Sequence, residues 1–139
     1  MNNKSNFYEK SKMFNRPSAL IKGFFNMKLN EKLKDKTAID FGCGVGNDTQ
    51  FLIENGFFVT CVDKNSRAKE LVYEKIQDWD KYQFLNEDFK NVKLPKVDLF
   101  YSCLSLQFIN PRDIDSVMKK INESINESGF FVRKFFRRR

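Results

Sequence analysis

Three glycines at alternate positions, Gly42, Gly44 and Gly46, follow a short apolar segment and precede a polar one. Glycine allows a strand to turn sharply and a ligand to approach the bare backbone. A helix that begins behind such a turn offers N–H groups without intrahelical partners and a partial positive charge. In a doubly wound sheet this turn lies where ligands bind, beyond the carboxyl ends of the strands. The pattern therefore predicts a nucleotide-type cofactor site, with a tight turn that binds nothing as the alternative.

The spacing of the glycines distinguishes this turn from two other nucleotide-binding turns. The dinucleotide fingerprint G-x-G-x-x-G, begun at Gly42, requires a third glycine at position 47, which is Asn47. The phosphate loop requires a Gly-Lys-Ser/Thr tripeptide, which the sequence does not contain. The pattern present is D-x-G-x-G-x-G, with Asp40 two residues ahead of the first glycine. The segment 39–46 resembles motif I of the class I S-adenosylmethionine-dependent methyltransferases.

This resemblance implies S-adenosylmethionine as the cofactor and gives roles to acids that follow later strands. Asp63 ends the second predicted strand, 19 residues after Gly44, where a carboxylate can accept both ribose hydroxyls. Asp88 and Phe89 match the family's adenine site, because a carboxylate can accept the exocyclic amine while an aromatic ring packs on the purine. The alternatives are a strand-end turn for Asp63, and a helix cap with a core aromatic ring for the other pair. The implied cofactor-binding residues are Asp40, Gly42, Cys43, Gly44, Gly46, Asp63, Lys64, Asp88, Phe89, Ser102 and Cys103.

Four of these residues are expected to act beside the methionine and adenine moieties. Asp40 could orient the methionyl amino group, directly or through water, or could instead cap backbone donors of the glycine turn. Ser102 and Cys103, at the end of the fourth predicted strand, would contribute backbone carbonyls beside the methionine. Lys64 departs from the apolar residue that the family often has after the ribose acid, although its aliphatic stem could still cover adenine.

Within the family, further matches indicate the small tellurite-resistance and thiopurine-like methyltransferases. They lie at Arg16-Pro17, 47–49, 105–111 and 131–136. This implies a small, soft nucleophile as methyl acceptor, reached by in-line displacement, for which positioning supplies most of the acceleration. An anionic acceptor needs no base, and we assign no catalytic or metal-binding residue. The candidates for the acceptor wall are Tyr8, Arg16, Gln107 and Phe108, with lid packing for the aromatic residues and a solvated charge for Arg16 as alternatives.

The composition excludes several other kinds of site. The sequence of 139 residues has no histidine, which rules out Ser-His-Asp and Cys-His catalysis and any histidine-ligated metal. Its three cysteines form no C-x-x-C pair and are expected to be buried, reduced thiols. The net charge of +7 is unevenly placed, with +6 in residues 1–36, −4 in residues 37–132 and +5 in residues 133–139. Such ends could bind nucleic acid, but a solvated surface is favoured and a nucleic-acid partner is not expected.

Apolar periodicity predicts strands that alternate with helices, which indicates a parallel sheet with right-handed crossovers. The resemblance implies a Rossmann-like three-layer α/β sandwich with strand order 3-2-1-4-5. We expect one domain over 1–139, with an N-terminal lid and helix in 1–36, the core in 37–136 and a basic tail in 137–139. Predicted helices cover 17–34 and 48–55, a segment capped by Ser66, and a segment from Asn110-Pro111 to Gly129. The first predicted strand ends at the glycine turn, and further strands cover 57–62, 82–86, 97–103 and 130–136.

The end of the sequence departs from the family, whose members continue into a further helix and a two-stranded hairpin. We expect a shortened methyltransferase whose fifth strand is an open edge, which favours self-association. A non-catalytic Rossmann-like module that binds the cofactor or a partner is the alternative function. No apolar run approaches the roughly 20 residues that span a bilayer, and the first residues lack an apolar leader. A cytoplasmic location without a membrane partner is therefore expected.

Overall fold

Five parallel strands form the centre of the molecule. The computed structural model describes residues 16–27 and 33–134. The strands are β1 (Thr37–Phe41), β2 (Phe58–Val62), β3 (Tyr82–Leu85), β4 (Val97–Cys103) and β5 (Ile125–Lys134). Their order is β3-β2-β1-β4-β5, and every neighbouring pair is parallel. This confirms the predicted fold class and the strand order implied by the resemblance.

Helices cover both faces of the sheet, as a parallel sheet requires. They are α1 (Ala19–Asn26), α2 (Asn47–Glu54), α3 (Ser66–Lys75) and α4 (Ile114–Ser124), with short 3₁₀ turns at Trp79–Lys81, Leu106–Phe108 and Pro111–Asp113. The apolar faces of α1, α2 and α3 share one buried cluster with alternate residues of the strands. Residues of α4 and of the segment 92–94 share the second cluster on the other face. The three-layer arrangement is therefore present, and among the described residues no helix is both long enough and apolar enough to cross a membrane.

The first helix is shorter than its apolar spacing predicts. It begins after Ser18, whose hydroxyl accepts a hydrogen bond from the Ile21 amide, so Pro17 precedes the cap instead of lying in the first turn. Residues 28–32 of the predicted helix lie outside the described residues. Leu33 is buried but not helical, because the chain there turns to meet the sheet and the Asp35 amide donates to the Asp98 carboxylate at 3.0 Å.

The last helix ends at Ser124, five residues before Gly129, where it was predicted to stop. Ile125 lies four residues after Ile121, so helical spacing assigned it to the helix, but its backbone pairs with Val97 and begins β5. A shift of register follows, since the next recorded pair joins Leu99 to Phe130. Gly129 allows this irregularity and is not a helix cap: a Cβ at this position would lie 2.9 Å from the carbonyl oxygen of Asp98.

The remaining differences are smaller. Asn65 caps α3 in place of Ser66, because the Asn65 side chain accepts from the Arg67 amide at 2.8 Å. In the described residues β5 pairs with β4 alone, and Phe130 and Phe131 are half-buried. Phe135 and Phe136 of the predicted strand lie outside the described residues. Self-association through this edge stays a prediction.

Candidate cofactor and active site

The glycine turn follows β1 at the carboxyl edge of the sheet. All three glycines have left-handed backbone angles, with φ of 81° at Gly42, 55° at Gly44 and 83° at Gly46. The amides of Gly42 and Cys43 both donate to the carbonyl of Val62, at 2.7 and 3.2 Å. The turn is thus anchored to the end of β2, in a conformation that side chains with a Cβ adopt only with strain.

Ser105 packs directly on this turn, a contact that sequence analysis did not predict. A Cβ at Gly42 would overlap the side chain of Ser105 and approach the Phe89 ring to 3.3 Å. The Ser105 hydroxyl lies 3.3 Å from the carbonyl oxygens of Gly42 and Cys103 and can donate to them. The contact could have been predicted from the position of Ser105 just after β4, because the segment that follows a strand must cross the carboxyl rim of the sheet.

Asp63 lies beside the turn, as a ribose-binding role requires. The side chain is buried, and its two oxygens accept from the amides of Gly44 at 3.1 Å and Asn65 at 2.9 Å. The first bond ties the end of β2 to the glycine turn. The second is the strand-end turn that was the alternative role, while the ribose-binding role stays a prediction.

Asp88 and Phe89 follow β3 on the same rim. The Asp88 carboxylate accepts from the Lys90 amide at 3.0 Å and lies 4.0 Å from the Lys64 ammonium. One face of the Phe89 ring stacks on Phe41, with centroids 3.7 Å apart and planes 19° from parallel. That face packs in the core, as in the alternative role, while the ring edge points toward the glycine turn.

Asp40 is buried under the first turn of α2. Its carboxylate accepts from the Thr49 hydroxyl at 2.7 Å, so it binds the helix start beyond the glycine turn. Burial raises the pKa of Asp40 to about 8, with repulsion from Asp48 as the next cause. The Thr49 hydroxyl also lies 3.4 Å from the Cys61 sulfur. Asp40 is therefore well placed to hold α2 against β1 and β2.

The remaining predicted residues are distributed over the same edge of the sheet. Ser102 is fully buried and its hydroxyl donates to the carbonyl of Phe41 at 3.0 Å, while Cys103 is half-buried. Gln107 and Phe108 lie in the following 3₁₀ turn, and the Phe108 side chain is 78% exposed. Arg16 is exposed at the first described position. Tyr8 lies outside the described residues.

The chemistry of this edge fits a cationic cofactor. Asp40, Asp63 and Asp88 belong to or follow the adjacent strands β1, β2 and β3, so the three acids gather at one rim. Asp48 and Asp63 both contribute to the raised pKa of Asp40, which shows a concentration of negative charge there. S-adenosylmethionine carries an ammonium and a sulfonium, and both would be attracted to such a site.

Other kinds of site are less well supported. Burial raises the pKa of the Cys43 and Cys103 thiols, which keeps them protonated and poorly nucleophilic. Among the residues that the structure describes, no three metal-ligating side chains cluster. A cavity of about 310 Å³ opens at the opposite rim, against Gly56, Phe57 and Asp80. It contacts none of the predicted cofactor residues, so we do not regard it as the cofactor site.

Comparison with known proteins agrees with this geometry. A family model described as "Methyltransferase domain" matches residues 38–129. A carboxy-S-adenosyl-L-methionine synthase of Helicobacter pylori is 28% identical over 113 residues, which are 78% of this chain and 47% of that protein. Ribosomal RNA small subunit methyltransferase A of Mesomycoplasma hyopneumoniae is 37% identical over 60 residues, 43% of this chain and 23% of that one.

Solved structures show the same fold. An S-adenosylmethionine-dependent methyltransferase from Clostridium acetobutylicum superposes with a TM-score of 0.72 and 23% identity, over 82% of this chain and 48% of that one. TehB from Haemophilus influenzae superposes with a TM-score of 0.67 and 21% identity, over 77% of this chain and 38% of that one. The chain spans about half the length of the curated relatives that it matches over most of its sequence. Since the family model covers well over half of the sequence, the chain belongs to the methyltransferase-domain family, with the strand order of the class I S-adenosylmethionine-dependent enzymes that its sequence resembles.

Proposed function

We propose that this protein binds S-adenosylmethionine at its glycine turn and transfers the methyl group to a small-molecule nucleophile. The observation that carries the proposal is the hydrogen bond between the Gly44 amide and the Asp63 carboxylate. It joins the bare backbone of the turn to the acid that would accept the ribose hydroxyls. Negative charge from Asp48 and Asp63, which contributes to the raised pKa of Asp40, supports binding of a cofactor with two cationic groups at this rim.

The rim residues suggest a division of roles along the bound cofactor. Asp63, fixed by two backbone amides, would accept the ribose hydroxyls. Asp88 would accept the adenine amine, and Lys64 would then exchange its ion pair with Asp88 for a packing contact through its stem. The end of β4, where Ser102 holds the carbonyl of Phe41, would supply the backbone acceptors beside the methionine.

Transfer needs positioning more than acid–base chemistry. S-adenosylmethionine supplies a methyl group on a positively charged sulfur, which leaves as a neutral thioether. The segment 102–107 carries two hydroxyls, one protonated thiol and one amide and no charged side chain, so an acceptor that is already anionic or soft suits the site best. Gln107 and the exposed ring of Phe108 would form part of the wall that aligns it.

Mass spectrometry of reaction mixtures tests the proposal. The protein is incubated with S-adenosylmethionine and thiol, selenite, tellurite or thiopurine acceptors, with Asp63→Ala as the control variant. We expect S-adenosylhomocysteine and a methylated product from one acceptor class, and neither from the variant. Cofactor binding without turnover on any acceptor would contradict methyl transfer and favour the non-catalytic module. The same spectra would detect carboxy-S-adenosylmethionine, because one relative is a carboxy-S-adenosyl-L-methionine synthase. A ribosomal RNA fragment is included among the acceptors, because another relative is a ribosomal RNA methyltransferase.

A further inference from the structure

A closed ring of three hydrogen bonds joins α1, α2 and β4 next to the glycine turn. The Ser18 amide donates to one Asp48 oxygen at 2.6 Å, and the Tyr101 hydroxyl donates to the other at 2.7 Å. The hydroxyls of Ser18 and Tyr101 lie 2.6 Å apart and complete the ring. Both oxygens of the carboxylate are therefore used in holding two other elements.

The direction of the third bond follows from counting protons. Tyrosine has one hydroxyl proton, which Tyr101 donates to Asp48. Ser18 must therefore donate its own proton to the Tyr101 oxygen, while its oxygen accepts from the Ile21 amide as the cap of α1. Tyr101 is fully buried, and burial followed by the charge of Asp48 raises the pKa of its hydroxyl, so it remains a donor at physiological pH.

The ring touches the same helical turn that supports the cofactor site. Asp48 and Thr49 are neighbours in the first turn of α2, and Thr49 donates to Asp40. Asp40 and Tyr101 are in turn register partners on β1 and β4. The start of α2 is thus held from β1 through Thr49, and from β4 and α1 through Asp48. Disturbing either attachment would move the helix that begins directly after Gly46.

We propose that Ser18, Asp48 and Tyr101 form a latch that couples the docking of α1 to cofactor binding. They are positioning residues: the latch holds α1 against the first turn of α2, and so fixes the glycine turn. This inference rests on the proposed binding of S-adenosylmethionine. Because coupling between two sites is reciprocal, cofactor binding must tighten the latch by the same factor by which an intact latch tightens cofactor binding.

Two measurements on the same variants test this coupling. The affinity for S-adenosylhomocysteine is measured by calorimetry, and exchange of the Ser18 amide proton is followed by NMR with and without that ligand. Tyr101→Phe removes the central hydroxyl and keeps the ring volume, while Ser18→Ala provides a second variant if the first folds poorly. Tyr82→Phe is the matched control, because it removes another buried hydroxyl, one that donates to the Ile76 carbonyl at 2.8 Å and is not part of the latch.

We expect Tyr101→Phe and Ser18→Ala to weaken ligand affinity by roughly tenfold, and Tyr82→Phe to leave it unchanged. In the wild type the ligand should slow exchange of the Ser18 amide by a similar factor, and in Tyr101→Phe it should not. Unchanged affinity in both latch variants, or equal losses in the Tyr82 control, would overturn the latch as a positioning device. Absence of binding to the folded wild type would instead contradict the proposed function, and the coupling with it.

Discussion

The carboxylate of Asp40 accepts a hydrogen bond of 2.7 Å from the hydroxyl of Thr49, at the buried junction of β1 and α2. This places an acid with a pKa of about 8 beneath the helix that follows the glycine turn. A buried group of this kind holds the helix start while its own ionisation is disfavoured. Stability and cofactor binding should therefore both respond to this contact.

The stability of the protein should fall with rising pH because of Asp40. Its carboxyl ionises near pH 4 in the unfolded chain and at about 8 in the folded protein. From about pH 4 to about pH 8 the unfolded state therefore loses this proton first, which favours unfolding. We expect Asp40→Asn, measured by urea unfolding, to be more stable relative to wild type at about pH 8 than at about pH 5. Asp35→Asn, at an exposed position, is the control; a stability difference that does not change with pH would contradict the raised pKa.

Replacing Gly42 by alanine should damage the turn. The φ of 81° is strained for alanine, and the added methyl would overlap Ser105. We expect a loss of roughly 2–4 kcal/mol in the free energy of unfolding and weaker cofactor binding. In the double variant with Ser105→Gly, the protein should regain the part of the free energy of unfolding that was lost through the overlap. The part lost through backbone strain at position 42 should remain lost.

The control for this variant is Gly23→Ala, where nothing lies within 4 Å of the added Cβ. Gly23 lies inside α1, so alanine there should stabilise the protein by about 0.5–1 kcal/mol. Similar effects of the two substitutions on thermal unfolding would contradict the overlap expected between a Cβ at Gly42 and the Ser105 side chain.

The ion pair of Lys64 and Asp88 should compete with adenine for the carboxylate. Both side chains are more than half exposed, so Lys64→Met should change the free energy of unfolding by no more than about 0.5 kcal/mol. We expect it to raise the affinity for S-adenosylhomocysteine by about two- to fivefold at low salt and to reduce the salt dependence of binding. Lys119→Met removes an exposed charge on α4 as the control. Equal salt dependence in wild type and Lys64→Met would argue against adenine at Asp88.

The sequence was most informative where local chemistry and local structure coincide. The bounds of β4 are those predicted, and the Gly44 amide donates to the Asp63 carboxylate at the carboxyl rim of the sheet. The cofactor-binding roles of these residues stay predictions. The end of α4 could not be predicted, because Ile125 suits the helical face and only its pairing with Val97, distant in sequence, assigns it to β5.

The latch was missed for the same reason. Tyr101 lies inside the predicted strand 97–103, and its two partners lie 83 and 53 residues away in the chain. Helical spacing also extended α1 through Leu33, although the bond from the Asp35 amide to Asp98 draws that segment onto the sheet. Contacts between residues far apart in sequence decided each of these cases, and periodicity carries no information about them.

Calorimetric titration of the purified chain with S-adenosylhomocysteine decides whether the protein binds this class of cofactor. We expect saturable binding of one ligand per chain, weakened by roughly tenfold or more in Asp63→Asn, which replaces the charge that would hold the ribose and can keep the Gly44 contact. Asp35→Asn should bind like wild type. A folded wild-type protein that gives no binding heat, or an Asp63→Asn variant with unchanged affinity, would contradict cofactor binding at the glycine turn.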